Sequence, residues 1–149
     1  MTTTNHALLE RRLHLFTGKG GVGKSTLVAA IGLALARAGR RPLIVELGHR
    51  ASIEHILAVP EVRYKPARVA EGLHAMNMDL HASIAEYVRD HLKVRALGSL
   101  ALRSSTLRRF FEAAPGVAEV AVLHKLRSLL SQEGVDGFDP ILVDLDSTG

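Results

Sequence analysis

Apolar positions along this chain fall into short blocks that switch between two periods. Leu13-His14-Leu15-Phe16 alternates in character and runs directly into a glycine-rich turn, the pattern of a strand that stops abruptly. Leu27, Ala30, Ile31, Ala34 and Leu35 then recur at helical spacing, which predicts a helix with that set on one face. Gly39 suits its C-terminal cap, and Arg37, Arg40 and Arg41 lie where cations complement the helix dipole. Pro42-Leu43-Ile44-Val45-Glu46-Leu47 is a continuous β-prone run, as expected of a strand covered on both faces in a parallel sheet. Strand, helix and strand within about 35 residues make a βαβ unit.

The alternation continues. Leu73-His74-Ala75-Met76-Asn77-Met78 predicts a third strand, and Asp79 can cap a following helix that carries Ile84, Tyr87, Val88, His91 and Leu92 on one side. Two more helical segments follow, one holding Leu107, Phe110, Phe111 and Ala114 before Pro115-Gly116, the other running from Val117 to about Ser131. Ile141-Leu142-Val143-Asp144 is a further buried-strand pattern. The fold class expected is therefore α/β, a largely parallel sheet flanked by helices, with no internal repeat. The pattern stops on Asp146-Ser147-Thr148-Gly149, a turn that would leave a strand, so residues 1–149 are expected to be the N-terminal part of a longer domain.

Composition narrows the chemistry without naming it. With 149 residues, 47% hydrophobic and 23% charged, the chain can bury one ordinary core. The net charge of +4 is a modest excess spread along the chain, and it does not by itself argue for nucleic acid. There is no cysteine, which excludes disulfides, thiolate metal sites, iron–sulfur ligation and a cysteine nucleophile within this segment. No stretch has the build of a secretory leader or a transmembrane helix, so a cytoplasmic setting is expected, with peripheral membrane association left open.

The strongest chemical signal is Gly18-Lys19-Gly20-Gly21-Val22-Gly23-Lys24-Ser25-Thr26. It satisfies G-x-x-x-x-G-K-[ST] between a predicted strand and a predicted helix, the context that a phosphate-binding P-loop requires. Glycines let successive N–H groups turn inward around phosphate oxygens at a helix N-terminus. Lys24 can bridge β- and γ-phosphates, Ser25 can offer a hydroxyl to Mg²⁺, and Thr26 can reach an inner phosphate. Mg²⁺ and ATP are the cofactors these roles imply, and a P-loop NTPase is the fold.

Lys19 sharpens the picture. Lys-Gly-Gly-Val-Gly-Lys-Ser-Thr resembles the deviant Walker A loop of the superfamily containing MinD/ParA, nitrogenase iron protein and arsenite-pump ATPases. That resemblance implies a nucleotide-sandwich homodimer in which Lys19 reaches the partner's phosphates, much as an arginine finger does. Three further stretches are similar to the arsenite-pump and tail-anchored-protein-targeting ATPases. They are Leu73 to Asp79 with Glu86-Tyr87 beyond, Ala114-Pro115-Gly116-Val117-Ala118-Glu119, and the switch II-like Val143-Asp144-Leu145-Asp146-Ser147-Thr148-Gly149. The resemblance makes Asp144 the Walker B acid that holds Mg²⁺ through water and lets the Gly149 N–H approach the γ-phosphate. Asp146 stands where relatives carry a small apolar residue, and a turn-capping role suits it as well as a role near magnesium.

Switch I, residues 46–52, departs from that pattern. Relatives place a water-orienting aspartate after the second strand, whereas Val45-Glu46-Leu47-Gly48-His49-Arg50-Ala51-Ser52 puts Gly48 there. Glu46 is the nearest substitute, on the same side of an extended strand about 6–7 Å away, and His49 or Arg50 are alternatives. Catalytic assignments are accordingly Lys19, Lys24, Glu46 and Asp144. The resemblance implies an ATPase whose homodimer couples ATP to a protein client or membrane-protein partner, without direct nucleic-acid contact. A hydrolysis-poor nucleotide switch and a MinD/ParA-like positioning ATPase stand as alternatives. The eight histidines show no ligand-spaced pairing, and Arg103, Arg108 and Arg109 beside Phe110-Phe111 fit an amphipathic helix more simply than an anionic-surface site. The apolar helical stretch from Leu92 to Leu130 could line a client groove or pack a core equally well.

Overall fold

The computed structural model describes residues 10–48, 52–91, 114, 116–132 and 137–145. Two compact units are present, residues 1–78 with 130–149, and residues 79–129. The first holds a five-stranded sheet built from β1 (Leu13–Phe16), β2 (Leu43–Leu47), β3 (Ala67–Ala70), β4 (Leu73–Met78) and β5 (Ile141–Asp144), together with α1 (Lys24–Arg37) and α2 (Ser52–Leu57). Strand order is β1-β5-β2-β4-β3. Four strands run parallel, and β3 joins antiparallel to β4 at one edge.

β2 and β5 sit at the centre because they have almost nothing to offer solvent. Leu43, Ile44, Val45, Ile141, Leu142 and Val143 are fully buried, each side chain contributing roughly 1.5–3 kcal/mol of transfer free energy. The last residue of the β2–β5 ladder pairs Glu46 with Asp144, so the two buried carboxylates of this sheet end up as cross-strand neighbours. The parallel βαβ prediction is thus realised, with β5 inserted between β1 and β2.

The helix that follows the glycine loop forms over Lys24–Arg37, and Gly39 takes a left-handed φ of 82° just past its end. Its buried face is Val28, Ala29, Gly32 and Leu35, packed on Ile44, Leu73, Ala75 and Leu142. This corrects the face expected from periodicity. Leu27 is 55% exposed, and Ala30 and Ala34 are also on the outside. Residues 27–36 are apolar nearly all round, so spacing alone does not choose a face. Gly32 chooses it, because a Cβ there would lie 3.0 Å from Leu73 Cδ1 and 3.1 Å from Ile44 Cδ1. A side chain at this position would press directly on the sheet.

Two elements were not anticipated. α2 is only six residues long, and β3 is a short, mostly exposed edge strand joined to β4 by Glu71-Gly72, with Gly72 at φ 70°. The predicted third strand is β4, with the expected bounds.

The second unit contains α3 (Leu80–His91) and most of α4 (Val117–Leu130). Asp79 caps α3 as expected, its Oδ1 accepting the Ala82 N–H at 2.8 Å. Ile84 and Val88 meet Ala121 in a small core flanked by Tyr87 and Val117. Lys125 pairs with Glu86 at 2.9 Å. His91 and His124, far apart in sequence, come to 4.9 Å between ring centroids, yet no group of three His, Cys, Asp or Glu able to hold a metal occurs among the described residues. Leu92, the predicted helix at Leu107–Ala114 apart from Ala114 itself, Pro115 and the Arg103, Arg108, Arg109 cluster lie outside the described residues. Among the described residues no helix is long and apolar enough to cross a membrane.

Candidate functional site

β1 ends at Phe16 and α1 begins at Lys24, so the glycine-rich loop crosses the carboxyl end of the sheet and delivers its last residues into the first turn of a helix. Gly21 and Gly23 have φ of 77° and 84°, values that L side chains rarely adopt, and nothing lies within 4 Å of a Cβ built at either. The glycines are there for backbone direction. Gly23 is the N-cap of α1 and has no side chain to satisfy the first-turn N–H groups, and no acidic residue occupies that turn. Those N–H groups and the positive end of the helix dipole face the loop, an arrangement that suits an anion.

A cavity of about 300 Å³ opens there, lined by Lys19, Gly20, Gly21, Gly23, Lys24, Ser25, Thr26 and Ser52. Seven of these eight were singled out from the sequence. Gly18 and Val22 belong to the same loop but are not among the lining residues, and Val22 turns its side chain outward at 67% exposure.

Lys24 and Asp144, 120 residues apart, meet at this cavity. The Lys24 ammonium is ion-paired with Asp144 Oδ1 and also donates to the Leu145 carbonyl. Asp144 is 2% exposed and Lys24 15%. The P-loop lysine thus lines the cavity while held by the buried carboxylate at the end of β5. Ser25 lines the cavity on the helix side, giving the hydroxyl-plus-carboxylate oxygen set that a Mg²⁺ ion with several retained waters takes.

A family model described as anion-transporting ATPase matches residues 11–149. The chain belongs to this family. It is 33% identical over 146 residues to ATPase BagA of Mycobacterium tuberculosis, a match covering 93% of this chain and 43% of BagA. It is 31% identical over 150 residues to a Halobacterium salinarum protein whose name assigns it to the arsenical pump-driving ATPases, covering 94% of this chain and 22% of that one. A similarly named Aquifex aeolicus protein is 28% identical over 145 residues, with 93% of this chain and 46% of the relative covered. The chain thus spans less than half the length of these relatives.

β2 stops at Leu47, and Gly48 turns with φ 94°. Strand alternation therefore does not carry past Leu47, and the expectation that Glu46 and Gly48 share a side of one extended strand is corrected by that turn. Glu46 is 3% exposed, and its Oε1 accepts the Ser52 N–H at 2.8 Å. Burial raises its carboxyl above the usual value of 4.5. Hydrogen bonds from the Ser52 side chain and from the backbone of Ser52 and Ile53 oppose the rise, and the charge of Asp144 adds to it. Glu46 is thus bound to the first turn of α2, and through it to a residue of the cavity wall.

Ser52 is the site residue that sequence reasoning passed over. A serine directly before the apolar, helically spaced Ile53, Ile56 and Leu57 is a helix-start signal. It lies at the end of switch I, six residues beyond Glu46. His49, Arg50, Asp146 and Gly149 lie outside the described residues.

Proposed function

We propose that the protein to which this chain belongs binds Mg·ATP in the loop cavity and hydrolyses it, as a homodimer that couples the nucleotide cycle to a protein client or membrane-protein partner. The observation that carries this reading is the convergence of Lys19, Lys24 and the uncapped N-terminus of α1 on one cavity, with the Asp144 carboxylate ion-paired to Lys24. Backbone N–H groups from Gly20 to Thr26 would hold phosphate oxygens in fixed directions, with the solvent cost of orienting them met during folding. Lys24 would exchange Asp144 for the β- and γ-phosphates. Asp144, released from that pair, and Ser25 would hold Mg²⁺, which supplies charge neutralisation at the phosphates. Lys19, at the exposed rim of the loop, would extend to the partner's nucleotide.

A hydrolysis-poor nucleotide switch is the second reading, favoured by Gly48, which offers no carboxylate and adopts a φ of 94°. Phosphate release from Mg·ATP by the natural full-length protein separates the two, with dimer mass recorded in the same samples. Turnover that Lys24→Ala abolishes supports the ATPase. ATP-driven dimerisation without turnover supports the switch, and an absence of both binding and turnover overturns the assignment of this cavity to ATP.

A further inference from the structure

Seven of the eight residues around the cavity come from the loop and the first turn of α1. Among the described lining residues Ser52 alone comes from beyond β2, from the first turn of α2. Its backbone N–H is held at 2.8 Å by Glu46 Oε1, which fixes the position of Ser52 on the cavity wall. Glu46 itself is 3% exposed and is not among the residues that line the cavity. A carboxylate so placed addresses the cavity through Ser52.

The hydrogen-bond inventory gives Ser52 a role. A serine hydroxyl has one proton to donate and two lone pairs that accept, and the backbone bond to Glu46 uses none of them. The hydroxyl can therefore offer the cavity an acceptor oxygen. A water molecule donating one hydrogen to that oxygen turns a lone pair elsewhere, which is what a nucleophilic water must do in front of a phosphoryl group.

We propose that Ser52 orients the attacking water and that Glu46 is the positioning residue that holds Ser52 in place, the pair replacing the carboxylate absent at Gly48. This rests on the ATPase reading above. In the step it serves, the water oxygen forms a bond to the γ-phosphorus as the bond from that phosphorus to the β–γ bridging oxygen breaks. The electron pair of the broken bond stays on ADP. The water proton not held by Ser52 passes to a γ-phosphate oxygen.

The test compares wild type, Ser52→Ala, Glu46→Ala, Glu46→Gln, the double variant Glu46→Ala/Ser52→Ala and Lys24→Ala in the full-length protein. Nucleotide affinity is read with a fluorescent ATP analogue and phosphate release with saturating Mg·ATP. Ser52→Ala is expected to keep its nucleotide affinity within about twofold and to lose roughly 10- to 100-fold in kcat, the scale of a misoriented reactant. Glu46→Ala should fall equally, and the double variant should fall no further than either single change, since both remove one device. Glu46→Gln keeps an acceptor for the Ser52 amide and should retain clearly more turnover than Glu46→Ala. Full kcat in Ser52→Ala, multiplicative losses in the double variant, or Glu46→Gln as inactive as Glu46→Ala would each overturn the proposal, the last by making Glu46 a direct base. Wild type that binds but does not turn over also overturns it while leaving nucleotide binding intact. Turnover undiminished in Lys24→Ala instead removes the ATPase reading beneath it.

Discussion

Lys24, the first residue of α1, is ion-paired with Asp144, the last residue of β5, and the pair closes the sheet end where loop, helix and strand meet. Both side chains are largely withdrawn from water, so neither charge can be removed without stranding the other. A buried pair broken on one side typically costs about 3–5 kcal/mol, while replacing both charges together costs far less. Lys24→Met and Asp144→Asn are each expected to lower stability by about 2–4 kcal/mol, with a favourable coupling of at least about 1 kcal/mol in the double variant. Urea unfolding of the four proteins measures it. Additive losses would show that the two residues are independent.

Gly48 sits at φ 94°, beyond the region that even Asn and Asp tolerate in turns. Restoring an acid by Gly48→Asp therefore forces the backbone, at a cost of about 1–2 kcal/mol. The variant should melt several degrees lower, and its turnover should not exceed wild type, because the strained backbone lies two residues from Glu46, which holds Ser52. A variant as stable as wild type and markedly faster would show that the turn at Gly48 is freely adaptable.

What the sequence made legible was whatever rests on uninterrupted local pattern. β2, β4 and β5 were visible because their residues are β-prone and largely buried, β1 because a short apolar run halts at a glycine turn, and the glycine loop because its spacing has few other uses. Three things were not. β3, Ala67-Arg68-Val69-Ala70, is half alanine and exposed at an edge, so its strand character comes from pairing with β4 and not from propensity. The buried face of α1 was misplaced because an all-apolar helix carries no periodic contrast. Ser52 could not be connected to the cavity because it is 26 positions beyond the end of the loop in sequence and reaches the wall only through the fold, where Glu46 Oε1 accepts its N–H.

Gly32 tests the packing side of that lesson. Gly to Ala inside a helix gains close to 1 kcal/mol in propensity, yet the new methyl would sit 3.0 Å from Leu73 Cδ1 and 3.1 Å from Ile44 Cδ1. Both neighbours are fully buried and have little room to yield, so overpacking of about 1–3 kcal/mol should win. Gly32→Ala is expected to be destabilised, and Gly32→Ala/Ile44→Val to recover part of the loss by removing the Cδ1 that the methyl meets. Denaturant midpoints decide it; a stabilised Gly32→Ala would mean that α1 lifts from the sheet at no cost.

Glu46 gives the pH dependence its sign. Burial raises its carboxyl above 4.5, with the Asp144 charge adding to the rise, so the folded protein binds the proton more tightly than the unfolded chain does. The stability attached to that proton is fully present below the unfolded value and is lost as pH rises through the folded one. Above that window the wild-type protein carries a buried negative charge that Glu46→Gln does not. The difference in unfolding free energy, Glu46→Gln minus wild type, should therefore increase from pH 4 upward and then level off. Gln and Glu differ in other hydrogen bonds, but those contributions do not change with pH, so the slope isolates the titration. Asp144→Asn should flatten the slope by removing one of the charges that produces it. A difference that decreases with rising pH would show that the hydrogen bonds from Ser52 and Ile53 outweigh burial and lower the Glu46 carboxyl.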